Sequence, residues 1–309
     1  MRVVVFGATG VQGAAQLSAL TAAKHTPIAV SRRPTSAPEF PAAETRIADL
    51  NDLPSVRAAV SGADAVFLNM PSFQPPGPLI AAAKAIGEEA AKQPSIKFIV
   101  FNTSMPVPEK SAGIEAQESR REMRRVLREG TKGSGVAVVS IQPVVYLDNL
   151  LAGWTLPRLR DEGRIVYCHK PDLEVSWICH DDLAALMVAV LGKEAGEMDG
   201  RDIPVGGPET VRLSQLAEKL GRAWGREVGY ENQSVPEFAT EFGDRIGDAV
   251  SGLEKEAVVD EMRRAYAWYN DAEEKPFRVD MGPVLKELPA ELTAIEEWGR
   301  RKGCPIQAK

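Results

Sequence analysis

Three glycines stand at a spacing of three near the start of the chain, in the segment GATGVQG from Gly7 to Gly13. A β-branched run, RVVVF, precedes them and an amphipathic stretch follows, so they occupy a strand-to-helix turn. Gly7 would allow the sharp turn, Gly10 would let the backbone approach a pyrophosphate without a Cβ in the way, and Gly13 would let the helix pack closely. The alternative is a tight turn without a ligand, but the strand–turn–helix context favours dinucleotide binding.

The residues after the second apolar run indicate which dinucleotide to expect. Domains that bind NAD usually carry Asp or Glu there, because a carboxylate accepts hydrogen bonds from the ribose hydroxyls. This chain has Ser31, Arg32 and Arg33 instead. Two guanidinium groups can hold a 2′-phosphate bidentately, whereas the alternative interpretation is a solvated basic loop. We therefore expect NADP(H) to be preferred over NAD(H).

The elements that must position these residues follow a strand–helix alternation through the first two-thirds of the chain. Near-continuous Val, Ile and Phe runs indicate strands buried on both faces, as in a parallel sheet. Amphipathic stretches at 11–23, 78–91 and 112–129 separate them. The pattern predicts an α/β fold with a doubly wound, mostly parallel Rossmann sheet. The strand-like segments are RVVVFGA, PIAVSRR, TRIADL, ADAVFLNM, KFIVFNTS and GVAVVSIQP.

Beyond about Asn149 the elements become shorter, which predicts a smaller α+β C-terminal lobe for the substrate. We assign residues 1–155 to the NADP-binding domain, with 175–205 adding a strand and a helix. Residues 156–174 and 206–309 then form the substrate lobe. In DDLAALMVAVLG, Asp181 or Asp182 is the expected helix N-cap. His180, beside that cap, is interpreted as a structural residue.

Composition narrows the classes of partner and compartment. The net charge of −6 and the lack of a basic tail argue against nucleic acid. No apolar stretch approaches the length that spans a bilayer, and because a strand follows Met1 directly we expect no signal peptide. Cys168, Cys179 and Cys304 are scattered, without the spacing of a metal site or a disulfide framework. We expect a cytoplasmic protein with no metal.

Several segments, taken in order, resemble the NmrA-like branch of the atypical short-chain dehydrogenase/reductase superfamily. They are GATGVQG, SRRP, ADLND, FNTS, IQPVVYLDNLL and IPVGGPETVRLSQLAEKLG, and together they cover nearly the whole chain. The resemblance implies that Thr9, Val11 and Gln12 join the glycines at the pyrophosphate, that Asp49 and Leu50 border the adenine, and that the ribose and nicotinamide lie along Asn69, Met70, Pro71, Asn102, Pro143 and Val145.

The chain departs from the superfamily at the helix after the fifth strand. Reductases of the superfamily carry Tyr and, four residues later, Lys on that helix, but GIEAQESRREMRRVLREG contains neither. Its apolar face, extended backward, places Arg120 where the Lys is expected. Arg120 is therefore predicted to face inward and to stabilise an oxyanion. Ser104, Thr103 and Tyr146 are the remaining catalytic candidates.

These features favour an NADP(H)-dependent reductase that lacks the Tyr–Lys pair. Its hydride acceptor would be small, apolar and conjugated, such as a quinone, an enone or a similar carbonyl. One alternative is an NADP(H)-binding redox sensor that acts on a regulatory protein partner without turnover. A cofactor-dependent isomerase or lyase is another, and a homodimer is left open. The predicted walls of the substrate pocket are Phe73, Met105, Leu150 and Trp154.

Overall fold

The computed structural model describes residues 1–33, 44–246 and 253–307. Seven strands form one sheet in the order β3-β2-β1-β4-β5-β6-β8, and every neighbouring pair is parallel. Two further strands, β7 and β9, form a separate parallel pair. The strands are β1 (Arg2–Phe6), β2 (Thr26–Ser31), β3 (Glu44–Ile47), β4 (Ala65–Asn69), β5 (Phe98–Asn102), β6 (Ala137–Pro143), β7 (Arg164–Tyr167), β8 (Asp202–Val205) and β9 (Gly229–Asn232).

Helices cover both faces of the large sheet, which confirms the doubly wound α/β fold. A 3₁₀ helix, Leu147–Leu151, follows β6. The α-helices are α1 (Val11–Ala22), α2 (Leu53–Val60), α3 (Pro76–Ala90), α4 (Glu115–Gly130), α5 (Leu156–Glu162), α6 (His180–Val190), α7 (Ala195–Met198), α8 (Leu213–Trp224), α9 (Val235–Ile246), α10 (Lys255–Asp271), α11 (Met281–Glu287) and α12 (Ile295–Lys302).

Alternate residues of β1 belong to two different cores. Val3 and Val5 pack with α1 and α6, whereas Val4 and Phe6 pack with α2, α3 and α4. Because successive side chains of a strand point to opposite faces, a continuous apolar run is what a strand between two helix layers requires. The central strands β4, β5 and β6 are buried along their whole length for the same reason.

The helices predicted at 11–23, 78–91 and 112–129 are present as α1, α3 and α4. Between α9 and α10, residues 247–252 lie outside the described residues. The lobe built from β7, β9 and α8–α12 is the smaller part of the fold. Its exact boundaries at 156–174 and 206–309 stay a prediction.

The predicted cap of α6 is wrong. The helix begins at His180 with Cys179 before it, so Asp181 and Asp182 lie in its first turn. The main-chain N–H of His180 donates instead to Asp148 Oδ2 at 3.0 Å. Asp182 is buried and accepts hydrogen bonds from Thr293, at 2.8 Å from N and 2.7 Å from Oγ1. Capping by a distant residue cannot be recognised from the local sequence pattern.

Candidate functional site

The three glycines of the first turn serve different purposes. Gly7 has φ of +71°, and a Cβ there would lie 3.0 Å from Cβ of Asn69. A Cβ on Gly13 would come within 2.3 Å of the Gly7 carbonyl oxygen, so only glycine lets α1 start this close to β1. At Gly10 an added Cβ would meet the Gly7 oxygen at 3.4 Å, an ordinary contact. The fold itself therefore does not require glycine at position 10. A phosphate that approaches the start of α1 would require it, because a Cβ would stand in its way.

A cavity of about 360 Å³ lies at this turn, and we call it the glycine-turn cavity. It runs along the carboxyl ends of β1, β2 and β4, where open α/β sheets bind ligands. Most of the residues predicted to contact a cofactor line this one cavity. They are Gly7, Thr9, Gly10, Val11, Gln12, Gly13, Ser31, Arg32, Asp49, Leu50, Asn69, Met70 and Pro71.

Four predicted cofactor residues do not line that cavity. The carbonyl oxygen of Arg33 accepts a hydrogen bond from Ser31 Oγ at 2.8 Å, and the next residue of the SRRP segment, Pro34, lies outside the described residues. Pro143 is the last residue of β6 and pairs with β8. Val145 lines a second cavity, described below. Asn102 is fully buried behind the wall.

Buried amide side chains connect α1 to the ends of β4 and β5. Gln12 Oε1 accepts hydrogen bonds from Asn102 Nδ2 and, at 3.3 Å, from Ser104 Oγ. Asn102 Nδ2 also donates to Asn69 Oδ1 at 2.9 Å, and Gln16 Nε2 donates to the same oxygen at 2.8 Å. Sequence reasoning missed Gln16, although its position four residues after Gln12 places both on one face of α1. The network fixes the start of α1 relative to the ends of β4 and β5.

A second cavity of about 340 Å³ adjoins the first, and we call it the apolar cavity. Both are lined by Val11, Gln12, Ser72, Gln74 and Ser104, so one wall is common to them. Helices α9 and α10 of the smaller lobe close the other side. The aromatic residues of its lining are Phe73, Tyr146, Trp154, Phe242, Tyr266, Tyr269 and Phe277.

Three of the four predicted pocket walls lie in the apolar cavity, and one prediction is wrong. Phe73, Met105 and Trp154 are lining residues. Leu150 is fully buried in the hydrophobic core that extends into the smaller lobe, and it does not line the cavity. It belongs to the 3₁₀ helix after β6, and apolar character alone does not reveal that it lies outside the lining.

Tyr146 and Ser104 stand close to the shared wall. The Tyr146 hydroxyl donates to Gln12 Oε1 at 3.4 Å, and burial raises the pKa of Tyr146 far above its ordinary value. The hydroxyl therefore keeps its proton and acts as a hydrogen-bond donor. Ser104 has φ of +61°, an uncommon conformation for a residue with a Cβ, and its N–H donates to Asn102 Oδ1 at 2.9 Å.

Arg120 faces inward but is not part of either cavity wall, which corrects the role expected from the sequence. Its Nη2 donates to the carbonyl oxygens of Met70 at 3.0 Å and Pro71 at 2.9 Å, and its Nε donates to Thr103 O at 3.2 Å. Burial lowers the pKa of Arg120 to about 10, so it stays charged at neutral pH. The N–H groups of Arg120 that were expected to face an oxyanion are thus hydrogen-bonded to carbonyl oxygens.

The charged and titratable lining of the apolar cavity was not foreseen. Glu115, His180 and Glu261 contribute to it, and within the described residues no Lys or Arg does. Glu261 Oε1 accepts from the Ala116 N–H at 2.9 Å, and Glu261 Oε2 pairs with Arg264 at 2.8 Å. The imidazole of His180, interpreted from the sequence as structural, lies on the cavity wall.

The described ranges hold neither a metal-binding cluster nor a membrane-spanning helix. Within residues 1–33, 44–246 and 253–307, no group of three or more His, Cys, Asp and Glu side chains is arranged to hold a metal ion. The same ranges contain no helix whose length and apolar character would let it cross a bilayer.

Known proteins share both the sequence pattern and the fold. The chain is 30% identical over 186 residues to (4-alkanoyl-5-oxo-2,5-dihydrofuran-3-yl)methyl phosphate reductase of Streptomyces griseus subsp. griseus, a match that spans 60% of each protein. It is 23% identical over 283 residues to quinone oxidoreductase 2 of Escherichia coli, covering 84% of this chain and 91% of that one.

Solved structures extend the likeness over nearly the whole chain. Quinone oxidoreductase 2 of E. coli complexed with NADPH superposes with a TM-score of 0.71 at 19% identity, covering 98% of this chain and 99% of that one. The negative transcriptional regulator Nmra in complex with NAD gives 0.69 at 17% identity, covering 97% and 94%. The model of the NmrA-like family matches residues 1–299. The chain therefore belongs to the NmrA-like family.

Proposed function

We propose that this protein is an NADP(H)-dependent reductase that transfers hydride to a small, apolar, conjugated acceptor such as a quinone or an enone. The observation that carries the proposal is the shared wall of the two cavities, at Gln12 and Ser104. A dinucleotide in the glycine-turn cavity and an apolar acceptor in its neighbour would meet there. The names of the Streptomyces and E. coli relatives, a reductase and a quinone oxidoreductase, support the same class.

The glycine-turn cavity fits a dinucleotide. The open start of α1 at Gly10 offers main-chain N–H groups to phosphates, and Arg32 offers a guanidinium to a 2′-phosphate. When bound, the reduced nicotinamide supplies hydride. Arg32 and the lack of a carboxylate directly after β2 support a preference for NADP(H) over NAD(H). The structure of the E. coli relative in complex with NADPH is in line with that preference.

The chain's own residues would bind and orient the acceptor. Aromatic rings of the smaller lobe exclude water. The hydroxyls of Tyr146 and Ser104, which donate to Gln12 Oε1, would turn away from it to donate to an acceptor oxygen. A conjugated acceptor delocalises the negative charge left by hydride addition, which lowers its need for a strong acid. Arg120 contributes as a positioning residue that holds Met70 and Pro71 in the cofactor wall.

The lining also favours neutral acceptors over anionic ones. Glu115 would repel a carboxylate or phosphate, and Glu261 would do so less because it pairs with Arg264; the described lining itself contains no Lys or Arg. We therefore propose that this protein does not share the phosphate-ester substrate for which the Streptomyces relative is named.

The test is a turnover assay that follows loss of reduced-nicotinamide absorbance with quinones, enones and imines, each in a neutral and a carboxylate-bearing form. We expect NADPH oxidation with neutral members of at least one class and at least tenfold lower kcat/KM for their anionic forms, about 1.4 kcal/mol. The Glu115→Gln variant should narrow that difference. The matched Glu122→Gln change, on the outer face of the same helix, should not.

A sensor function has one observation in its favour. The helix after β5 lacks the Tyr–Lys pair, and its fully buried cation, Arg120, is bound to carbonyl oxygens. The fold neighbour Nmra, a transcriptional regulator, was solved with NAD. Tight NADPH binding without turnover of any acceptor would support a sensor. Cofactor redox changes without net consumption would support an isomerase or lyase.

A further inference from the structure

We propose that His180 gives the reduced acceptor its proton, with Asp148 and Lys302 as positioning residues; the inference rests on the proposed reductase function. His180 is the first residue of α6 and lines the apolar cavity. Its ring centroid lies 4.6 Å from that of Tyr146, whose hydroxyl donates to Gln12 on the wall shared with the glycine-turn cavity. The imidazole therefore lies beside the place where cofactor and acceptor would meet.

A carboxylate and an ammonium group stand behind the imidazole. Asp148 Oδ2 lies 3.7 Å from His180 Nδ1, and Asp148 Oδ1 lies 3.1 Å from Lys302 Nζ. The side chains of His180 and Asp148 are only 11% and 13% exposed. Asp148 comes from the 3₁₀ helix after β6 and Lys302 from the last turn of α12, so three separate segments of the chain meet here.

The other polar residues of the cavity are poorer proton sources. Tyr146 keeps its proton because burial raises its pKa, and the Ser104 hydroxyl would have to become an alkoxide. Glu261 is occupied by the Ala116 N–H and by Arg264. Glu115 lies on the solvent-exposed start of α4. In the described lining, His180 is the side chain whose ordinary titration range includes neutral pH.

The charged groups that face His180 are Asp148, Asp181 and Lys302. Burial is the largest influence and lowers the pKa of His180, Lys302 lowers it further, and the two carboxylates partly raise it. The imidazolium form is therefore populated mainly on the acid side of the ordinary histidine value of 6.5. The charges of the neighbouring residues therefore influence the pH at which His180 loses its proton.

The proton transfer balances with the reduction. Hydride supplied by the reduced nicotinamide leaves a negative charge on the acceptor oxygen. The N–H bond of the His180 imidazolium breaks, an O–H bond forms on the acceptor, and the neutral imidazole regains a proton from water. The rate should therefore be high where His180 is protonated and should fall as pH rises through its pKa.

The test combines the pH dependence of kcat with NMR titration of the imidazole signals in the full chain. The chain has three histidines, so His25→Gln and His180→Gln variants assign the signals. In the unmodified protein, kcat should fall with rising pH along a limb below pH 6.5. His180→Gln should remove the limb and lower kcat by about 100-fold at acid pH. His25→Gln, remote from the cavity, should change neither.

Two charge variants give a signature that a structural role would not produce. Lys302→Met removes a neighbouring positive charge and should move both the NMR titration and the kcat limb up by roughly half a pH unit. Asp148→Asn should move both down, while its amide oxygen can still accept from the His180 N–H.

Each outcome decides between the two proposals. If no acceptor is reduced, the reductase function and the proton role both fail. Two results would overturn the proton role alone, with acceptors still reduced. In one, the kcat limb stays in place in the charge variants while the NMR titration moves. In the other, the limb is still present in His180→Gln.

Discussion

Arg120 Nη2 donates to the carbonyl oxygen of Met70 at 3.0 Å, so a buried cation on α4 holds the chain where β4 ends. The same nitrogen contacts Pro71 O at 2.9 Å, and Nε contacts Thr103 O at 3.2 Å beyond β5. Met70 and Pro71 line the glycine-turn cavity. One side chain thereby couples the stability of α4 to the shape of the glycine-turn cavity.

Arg120→Met is expected to weaken folding and cofactor binding together. Three carbonyl oxygens lose their charged donor, and buried unpaired groups cost about 1–3 kcal/mol each, so urea unfolding should show a loss of roughly 3 kcal/mol or more. NADPH affinity, measured by fluorescence titration, should fall as the wall relaxes.

Arg125→Met is the matched control on the same helix. Arg125 is 55% exposed and pairs with Glu122 and Glu129, so its loss should change stability and binding little. A loss of turnover in Arg120→Met with unchanged stability and NADPH affinity would contradict the positioning role and would return Arg120 to direct action on the acceptor.

Alanine at two glycines of the first turn should separate folding from ligand binding. In Gly13→Ala the new Cβ would overlap main-chain atoms at 2.3 and 2.6 Å, so unfolding free energy should fall by about 2 kcal/mol or more. In Gly10→Ala the nearest contact is 3.4 Å, so stability should be kept while the Kd for NADPH rises at least about tenfold. Equal NADPH affinity in Gly10→Ala and the unmodified chain would contradict the prediction that a phosphate binds at Gly10.

The central strands and the glycine turn could be predicted because their causes are local. A strand buried on both faces must be apolar throughout, and Gly7 and Gly13 are required by backbone geometry within a few residues. The family resemblance added residues such as Asp49 and Met70, which do line the glycine-turn cavity.

The errors concern contacts between segments far apart in the chain. Helical periodicity indicated that Arg120 faces inward, but its acceptors on Met70 and Pro71 lie about fifty residues earlier. The cap of α6 comes from Asp148, 32 residues away. Leu150 is buried outside the cavity lining and Met105 is part of it, although both are apolar. Residue type and spacing carry no information about such relations.

Arg32→Glu should convert the cofactor preference. Arg32 lines the glycine-turn cavity, whereas Arg33 does not. Hydrogen bonds between charged groups contribute about 1.5–3 kcal/mol, so NADPH affinity should fall by roughly tenfold to a hundredfold while NADH affinity stays within about twofold. Arg33→Glu, the neighbouring charge reversal, should have a smaller effect on NADPH. Parallel fluorescence titrations with both nucleotides measure this, and an unchanged ratio in Arg32→Glu would contradict the preference for NADP(H).

The stability of the protein should depend on pH through His169. Its imidazole is fully buried among aromatic rings, with centroids 4.6 Å from Tyr167 and 5.2 Å from Phe277. Neither ring nitrogen has a hydrogen-bond partner within the described ranges. Burial lowers the pKa of His169 from 6.5 to about 3, so the folded state holds the neutral ring.

Because the unfolded chain binds a proton at His169 near pH 6.5 and the folded chain does not, the stabilisation is complete above that pH and is lost as pH falls toward 3. This residue should lower the unfolding free energy by up to about 1.4 kcal/mol per pH unit in that window. Urea unfolding at pH 7 and pH 5 measures the slope. His169→Phe keeps an aromatic ring in the cluster and should flatten the slope, whereas His25→Gln should retain most of it. An equally steep slope in His169→Phe would mean that other groups cause the acid sensitivity.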